Sequence, residues 1–185
     1  MQTTTPALYY IIGAIVVIAI VLAIVAASRR AASARLQRRF GPEYERTLND
    51  RGDRTAAERE LAARESRVKR FHIEELPAGA RDRYTEEWRT VQTRFVDEPK
   101  TAITQADRLV SSVMRDRGYP VESFEQQAAD ISPDHPRVVQ NYRTAHEIAA
   151  RSERGEVSTE DLRQAMVHYR ALFTDLVGTD ERTTS

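Results

Sequence analysis

Apolar residues follow three regimes along this chain. From Ala7 to Ala27 they form a continuous run, ALYYIIGAIVVIAIVLAIVAA, 21 residues without a charge, in which only Tyr9 and Tyr10 carry polar groups. At about 1.5 Å per residue such a helix covers roughly 31 Å, the thickness of a bilayer's hydrocarbon core, where a helix satisfies its own backbone groups. The two tyrosines stand at one end, where phenols prefer the headgroup layer. From Ser28 to Phe71 the apolar pattern thins: between Glu45 and Arg70 the large aliphatic residues are Leu48, Leu61 and Val68. From His72 to Gly178 apolar positions recur at helical spacing, which places successive members on one face.

The third regime resolves into helices by its stop and start signals. Pro77 and Gly79 break the pattern and set a domain boundary near residue 72. Tyr84, Trp88, Val91 and Phe95 share one face of a helix over about 80–95. A second helix starts where Asp97 caps and Pro99 takes the first turn, runs through Ala102, Ala106, Leu109, Val110 and Val113, and stops before Gly118. A short helix over about 121–130 carries Val121 and Phe124. The next opens near SPDHP and presents Val138, Tyr142, Ala145 and Ala149 before Gly155. The last opens on Ser158 with Asp161 three residues on, in the manner of a capping box, and closes at Gly178 with a wide stripe from Leu162 to Leu176. No stretch alternates in the manner of a strand. The expected fold class is therefore all-α: one N-terminal transmembrane helix over 7–27 behind a short tail (1–6), a basic juxtamembrane segment and helical stalk over 28–71, a compact antiparallel helical bundle over 72–178, and a polar tail over 179–185.

The stalk breaks at Gly41-Pro42 and near Gly52, with Pro42 suited to a helix's first turn. Glu60 to Arg64 and Glu65 to Lys69 are favourable i,i+4 pairs for a solvated helix. Ala57, Leu61, Val68 and Phe71 also fall on heptad a and d positions, so two readings stand here: a solvated spacer, or a coiled coil forming a homodimer through the stalk.

Charge sets the orientation. Lys and Arg number 28, as do Asp and Glu, and cysteine is absent, which removes disulfides, Cys-bound zinc and lipidation at cysteine from consideration. Formal neutrality argues against nucleic acid as a partner, because that class needs surplus cations. Locally the balance is broken: Arg29, Arg30, Arg35, Arg38 and Arg39 follow the apolar run with no acid among them, leaving 23 basic against 28 acidic residues from Gly41 onward. The positive flank predicts the N-terminus out and the C-terminal domain cytoplasmic, in the cell membrane, with these arginines on lipid headgroups. The alternative is an exported domain released by signal cleavage near Ala26, Ala27 or the small residues Ala31–Ala34. Against it stand an uncharged N-terminus and an apolar run longer than a signal peptide's.

Candidate chemistry is sparse. The seven glycines make no phosphate cradle, and HExxH and GxSxG are absent, so no cofactor and no catalytic residue is assigned. Asp130, Asp134 and His135 crowd into ADISPDHP with His146 downstream, an oxygen and imidazole set that a metal could use; the competing reading is a tight turn in which Ser132, Asp134 and Pro136 cap and start a helix. Tyr119, Val121 and Phe124 are the expected contacts of an unidentified protein partner, because the short helix has few apolar positions with which to bury itself.

The segments RFVDEP, ADRLV, VMRDRGYP, FEQQAADIS, HPRVVQNYR and TEDLRQAMVHYRALF, within Arg83 to Val177, resemble recurring phrases of a widespread family of uncharacterised bacterial helical proteins that are membrane-anchored or secreted. The resemblance covers about half the chain and implies no activity, cofactor or catalytic residue. The sequence thus leads to a single-pass membrane protein with a cytoplasmic, non-catalytic helical interaction domain, with a metal- or ligand-binding bundle as the alternative.

Overall fold

The computed structural model describes residues 4–178, with the side chains of Tyr10 and of residues 12–178. The polar tail expected over 179–185 and the side chain of Tyr9 lie outside the described residues. Among those described there are eight α-helices and no strand. The chain divides into two compact units between Arg39 and Phe40.

The first unit is one helix. α1 runs from Thr4 to Phe40, so it begins inside the expected N-terminal tail and passes the end of the apolar run without a break. Alanine and arginine are strong helix formers, and nothing between Ala27 and Phe40 interrupts the backbone ladder. Among the described residues α1 is the helix long and apolar enough to cross a membrane, by length and composition. The side chains from Ile12 to Val25 are exposed among the described residues. Arg29, Arg30, Arg35 and Arg38 are exposed beyond them, with Arg39 in the last turn.

The second unit opens with a helical hairpin. Gly41, at φ +49°, turns the chain and Pro42 starts α2 (Pro42–Arg51). Gly52, left-handed at φ +65°, ends it, and Asp53 caps α3 (Arg54–Val68) by accepting from the Ala56 N–H at 2.7 Å. Five helices follow: α4 (Ala78–Arg94), α5 (Pro99–Asp116), α6 (Phe124–Ile131), α7 (Val139–Glu153) and α8 (Thr159–Val177). α8 is the centre of the packing. It lies along α7 and against α5, and α5 lies against α4. Trp88 of α4 stacks on Phe173 of α8 with ring centroids 4.8 Å apart, and Ala102, Ala106, Val110 and Val113 of α5 are fully covered. The predicted faces of α4, α5, α7 and α8 are thus the core faces.

Three local expectations fail. Asp97 is not the cap of α5: Glu98 occupies that position and makes no side-chain cap, while Pro99 does open the helix. SPDHP does not start α7; it forms turns in which the Asp134 and His135 N–H groups bond back to the Ile131 carbonyl and the Ser132 hydroxyl bonds to Ala129, satisfying the end of α6. The largest correction concerns residues 42–68, which are neither a solvated spacer nor a segment outside the bundle. α3 packs on α2 and α6, α2 also meets α7, and Tyr44, Ala57, Leu61 and Val68 are buried. Of the four expected heptad positions, Ala57, Leu61 and Val68 are buried within the chain and Phe71 is half-buried. The expected Glu60–Arg64 and Glu65–Lys69 pairs do form, the latter at 2.9 Å.

Candidate functional site

Charge docks the hairpin. Glu43, in the first turn of α2, is 1% exposed, and its Oε1 accepts from Arg64 Nη1 of α3 at 2.9 Å and from Arg143 Nη2 of α7 at 2.7 Å. Burial pulls the Arg143 guanidinium below its ordinary value, and Glu43 opposes that pull. At the other end Arg67 Nε donates to Asp130 of α6, at 3.0 Å from Oδ1, and Gln126 Nε2 donates to the same oxygen at 2.8 Å. These pairs are structural: Glu43 Oε1 and Asp130 are each answered by donors from another helix, while Glu43 Oε2 is buried without a hydrogen-bond partner.

The metal candidates do not converge. Asp130 is fully buried against Arg67 and Gln126. Asp134 Oδ2 accepts from the Tyr119 hydroxyl at 3.2 Å. His135 Nδ1 meets Asp175 of α8. His146 stacks on Phe124 with centroids 3.6 Å apart, its Nδ1 3.5 Å from Asp107 of α5. Among the described residues no three His, Cys, Asp or Glu side chains are grouped to hold a metal ion. The reason is that arginines and tyrosines, which the spacing argument ignored, reach these carboxylates first.

The expected partner contacts change in the same way. Tyr119 is 2% exposed, its ring under the Arg117 guanidinium and edge-on to His135; burial, with Asp134 beside it, pushes its phenol well above the ordinary range. Phe124 is partly buried, stacked on His146 and edge-on to Tyr142 at 4.9 Å, and Val121 packs against the core. The short helix is not left bare, because α3 covers one side and α7 another.

A polar cavity of about 250 Å³ lies where the segment after α3 crosses the ends of α5 and α8. Gly118, at φ +91°, allows that crossing: a Cβ there would strike the His72 carbonyl. The Glu74 N–H donates to the Arg117 carbonyl at 3.0 Å, and Arg117 Nε donates back to the Glu74 carbonyl at 3.2 Å. Arg117 Nη1 then donates to the Leu176 carbonyl at 3.0 Å, one of the α8 carbonyls that has no partner within its helix. The same nitrogen is 3.4 Å from His135 Nε2. On its other side the His135 ring turns Nδ1 to Asp175.

Arg81, from the first turn of α4, also lines the cavity, beside Gly178. Its Nε is buried without an acceptor. Among the described residues the cavity's lining contains no serine, threonine or cysteine, and it sets the Arg81 and Arg117 guanidinium groups beside the Glu75 and Asp175 carboxylates. Arg81, Arg117 and Asp175 had no periodic or motif signal in the sequence; only the chain crossing at Gly118 brings them together. No family model, no curated protein and no solved structure matches the chain.

Proposed function

We propose that this chain is a single-pass membrane protein, with its N-terminus outside and residues 40–178 in the cytoplasm as a non-catalytic helical interaction module. The observation that carries the proposal is α1: an apolar helix whose side chains from Ile12 to Val25 are all exposed, running unbroken into five arginines with no acid among them. Exposed in water, that many large aliphatic side chains are an aggregation liability; in lipid they are matched to their solvent. The arginines hold anionic headgroups on the cytoplasmic side, each contributing about 1 kcal/mol near the surface. Tethering would let the second unit engage a protein partner through a weak contact, since confinement raises effective concentration. Its exposed apolar side chains include Val96 and Val167.

Fusions of alkaline phosphatase and of a fluorescent protein to the C-terminus test the topology, because each is active on one side of the membrane. Fluorescence without phosphatase activity, in full-length protein that resists carbonate extraction, is the expected result. A mature chain beginning between Ser28 and Arg35, or phosphatase activity in its place, would overturn the reading in favour of export.

A further inference from the structure

We infer that the α2–α3 hairpin is a detachable strap: it opens from α6 and α7 as one piece while α4 to α8 stay folded, and it then uncovers the face that carries Asp130 and Arg143. This inference is independent of the membrane topology.

The hairpin and the bundle have separate apolar interiors. Tyr44, Ala57, Leu61 and Val68 are buried, yet none of them belongs to the bundle's apolar core, which takes in Ile73 and Leu76 and runs to Val177. Charge joins the two: Glu43 meets Arg143 of α7 at 2.7 Å, and Arg67 meets Asp130 of α6 at 3.0 Å and Glu122 at 3.5 Å. Taking charges out of water offsets much of what such pairs gain unless every polar atom is satisfied. Two are not, because Glu43 Oε2 and Arg143 Nε are buried without a partner, so the closed seam carries a cost that hydration relieves.

Little is lost on opening. Glu43 keeps Arg64 at 2.9 Å, Glu60 keeps Arg51 and Arg64, and the Tyr44 hydroxyl keeps Glu58 at 2.8 Å, all inside the hairpin. Asp130 keeps Gln126 of its own helix at 2.8 Å. The groups that give up an acid are Arg67 and Arg143, and water takes its place. The hinge lies just after α3. The N–H groups of Lys69, Arg70 and Phe71 bond back to Glu65, Arg67 and Val68, whereas Glu74 donates to Arg117 of the bundle. Rotation at 69–71 therefore leaves the Glu74–Arg117 bond and the core contacts of Ile73 and Leu76 in place.

Hydrogen exchange read by mass spectrometry tests the strap, with the full chain in neutral-detergent micelles and urea held below the unfolding transition. α2 and α3 are 10 and 15 residues long, too short to protect their amides once undocked. Peptides from 42–68 should exchange at one common rate, at least about tenfold faster than those of α5 and α8, while the emission of Trp88, stacked on Phe173, stays constant. α6 is the control: it also meets α3, but Ala128 and Ile131 set it in the core, so it should exchange more slowly than the hairpin. Arg67→Gln, which removes the pairs to Asp130 and Glu122, should speed exchange in α2 as much as in α3. A hairpin-to-α5 ratio below about tenfold, unequal rates for α2 and α3, or α6 exchanging with the hairpin would overturn the strap. If Arg67→Gln fails to fold, the rates in the native chain decide alone; if it folds and α2 is unchanged, the hairpin does not open as one piece and the inference fails.

Discussion

Removing the Glu43 carboxylate tests whether buried charge docks the hairpin of α2 and α3 on the bundle. In the Glu43→Ala chain Arg64 retains Glu60, but Arg143 loses the acid at 2.7 Å, and its Nε already lacks a partner. The Arg64 and Arg143 side chains are 15% and 13% exposed, too little for water to replace the lost acceptor. Deleting one member of a buried ion pair costs about 3–5 kcal/mol, and the residual exposure of both arginines places this case near 3. For a unit of this size that is a fall in Tm of about 9 °C, at roughly 3 °C per kcal/mol. Thermal melting by far-UV circular dichroism, with the full chain in detergent, gives the measurement. Because Glu43 is 1% exposed, the difference should persist in about 0.5 M salt, where surface pairs are screened. In Glu43→Ala/Arg143→Met the stranded charge is gone, so at least half the loss should return. A fall below about 3 °C, under 1 kcal/mol, would refute the reasoning, as would a double variant no more stable than the single one.

Other outcomes follow from single contacts. Gly118→Ala should cost at least about 2 kcal/mol, because the new Cβ meets the His72 carbonyl at a positive φ, whereas Gly155→Ala, at φ +76° with open space around it, should cost about 1 kcal/mol; denaturant titration separates them. Ser158→Ala removes one half of the α8 capping box and should cost about 1 kcal/mol, with faster hydrogen exchange confined to the first turn of α8. The Ser158 backbone N–H and hydroxyl hold the Asp161 carboxyl below its ordinary value. A depressed folded value means that this contribution is fully present above the unfolded value and is lost as pH falls through the folded one. The first turn of α8 should therefore fray in strong acid and stay intact at neutral pH, which an NMR pH titration of the Ser158 amide would show; an amide unchanged through the acid range would contradict it. Phe124→Ala should lower stability by about 2 kcal/mol, since the ring packs on His146 and Tyr142; an unchanged Tm would return Phe124 to the free surface.

Helix identity and position were legible in the chain because they depend on neighbours a few residues away. The Tyr84–Trp88–Val91 face, the Ser158–Asp161 box and the breaks at Gly41, Gly52 and Gly118 are local patterns, and each stands in the structure where its spacing put it. So is the apolar run of α1, whose length against a bilayer needs no tertiary knowledge. The docking of residues 42–68 was not legible, because its thin apolar stripe is supplemented by ion pairs such as Glu43–Arg143 and Arg67–Asp130, between residues far apart in sequence. In a chain this rich in arginine and acid, composition allows many pairings, and only the packed backbone chooses among them. The same choice took Asp130, Asp134, His135 and His146 to four different partners and drew Arg81 and Arg117 to one cavity. Period and turn chemistry are properties of short segments and survive in the bare sequence, whereas a charge's partner is set by distances that exist only after the helices have packed.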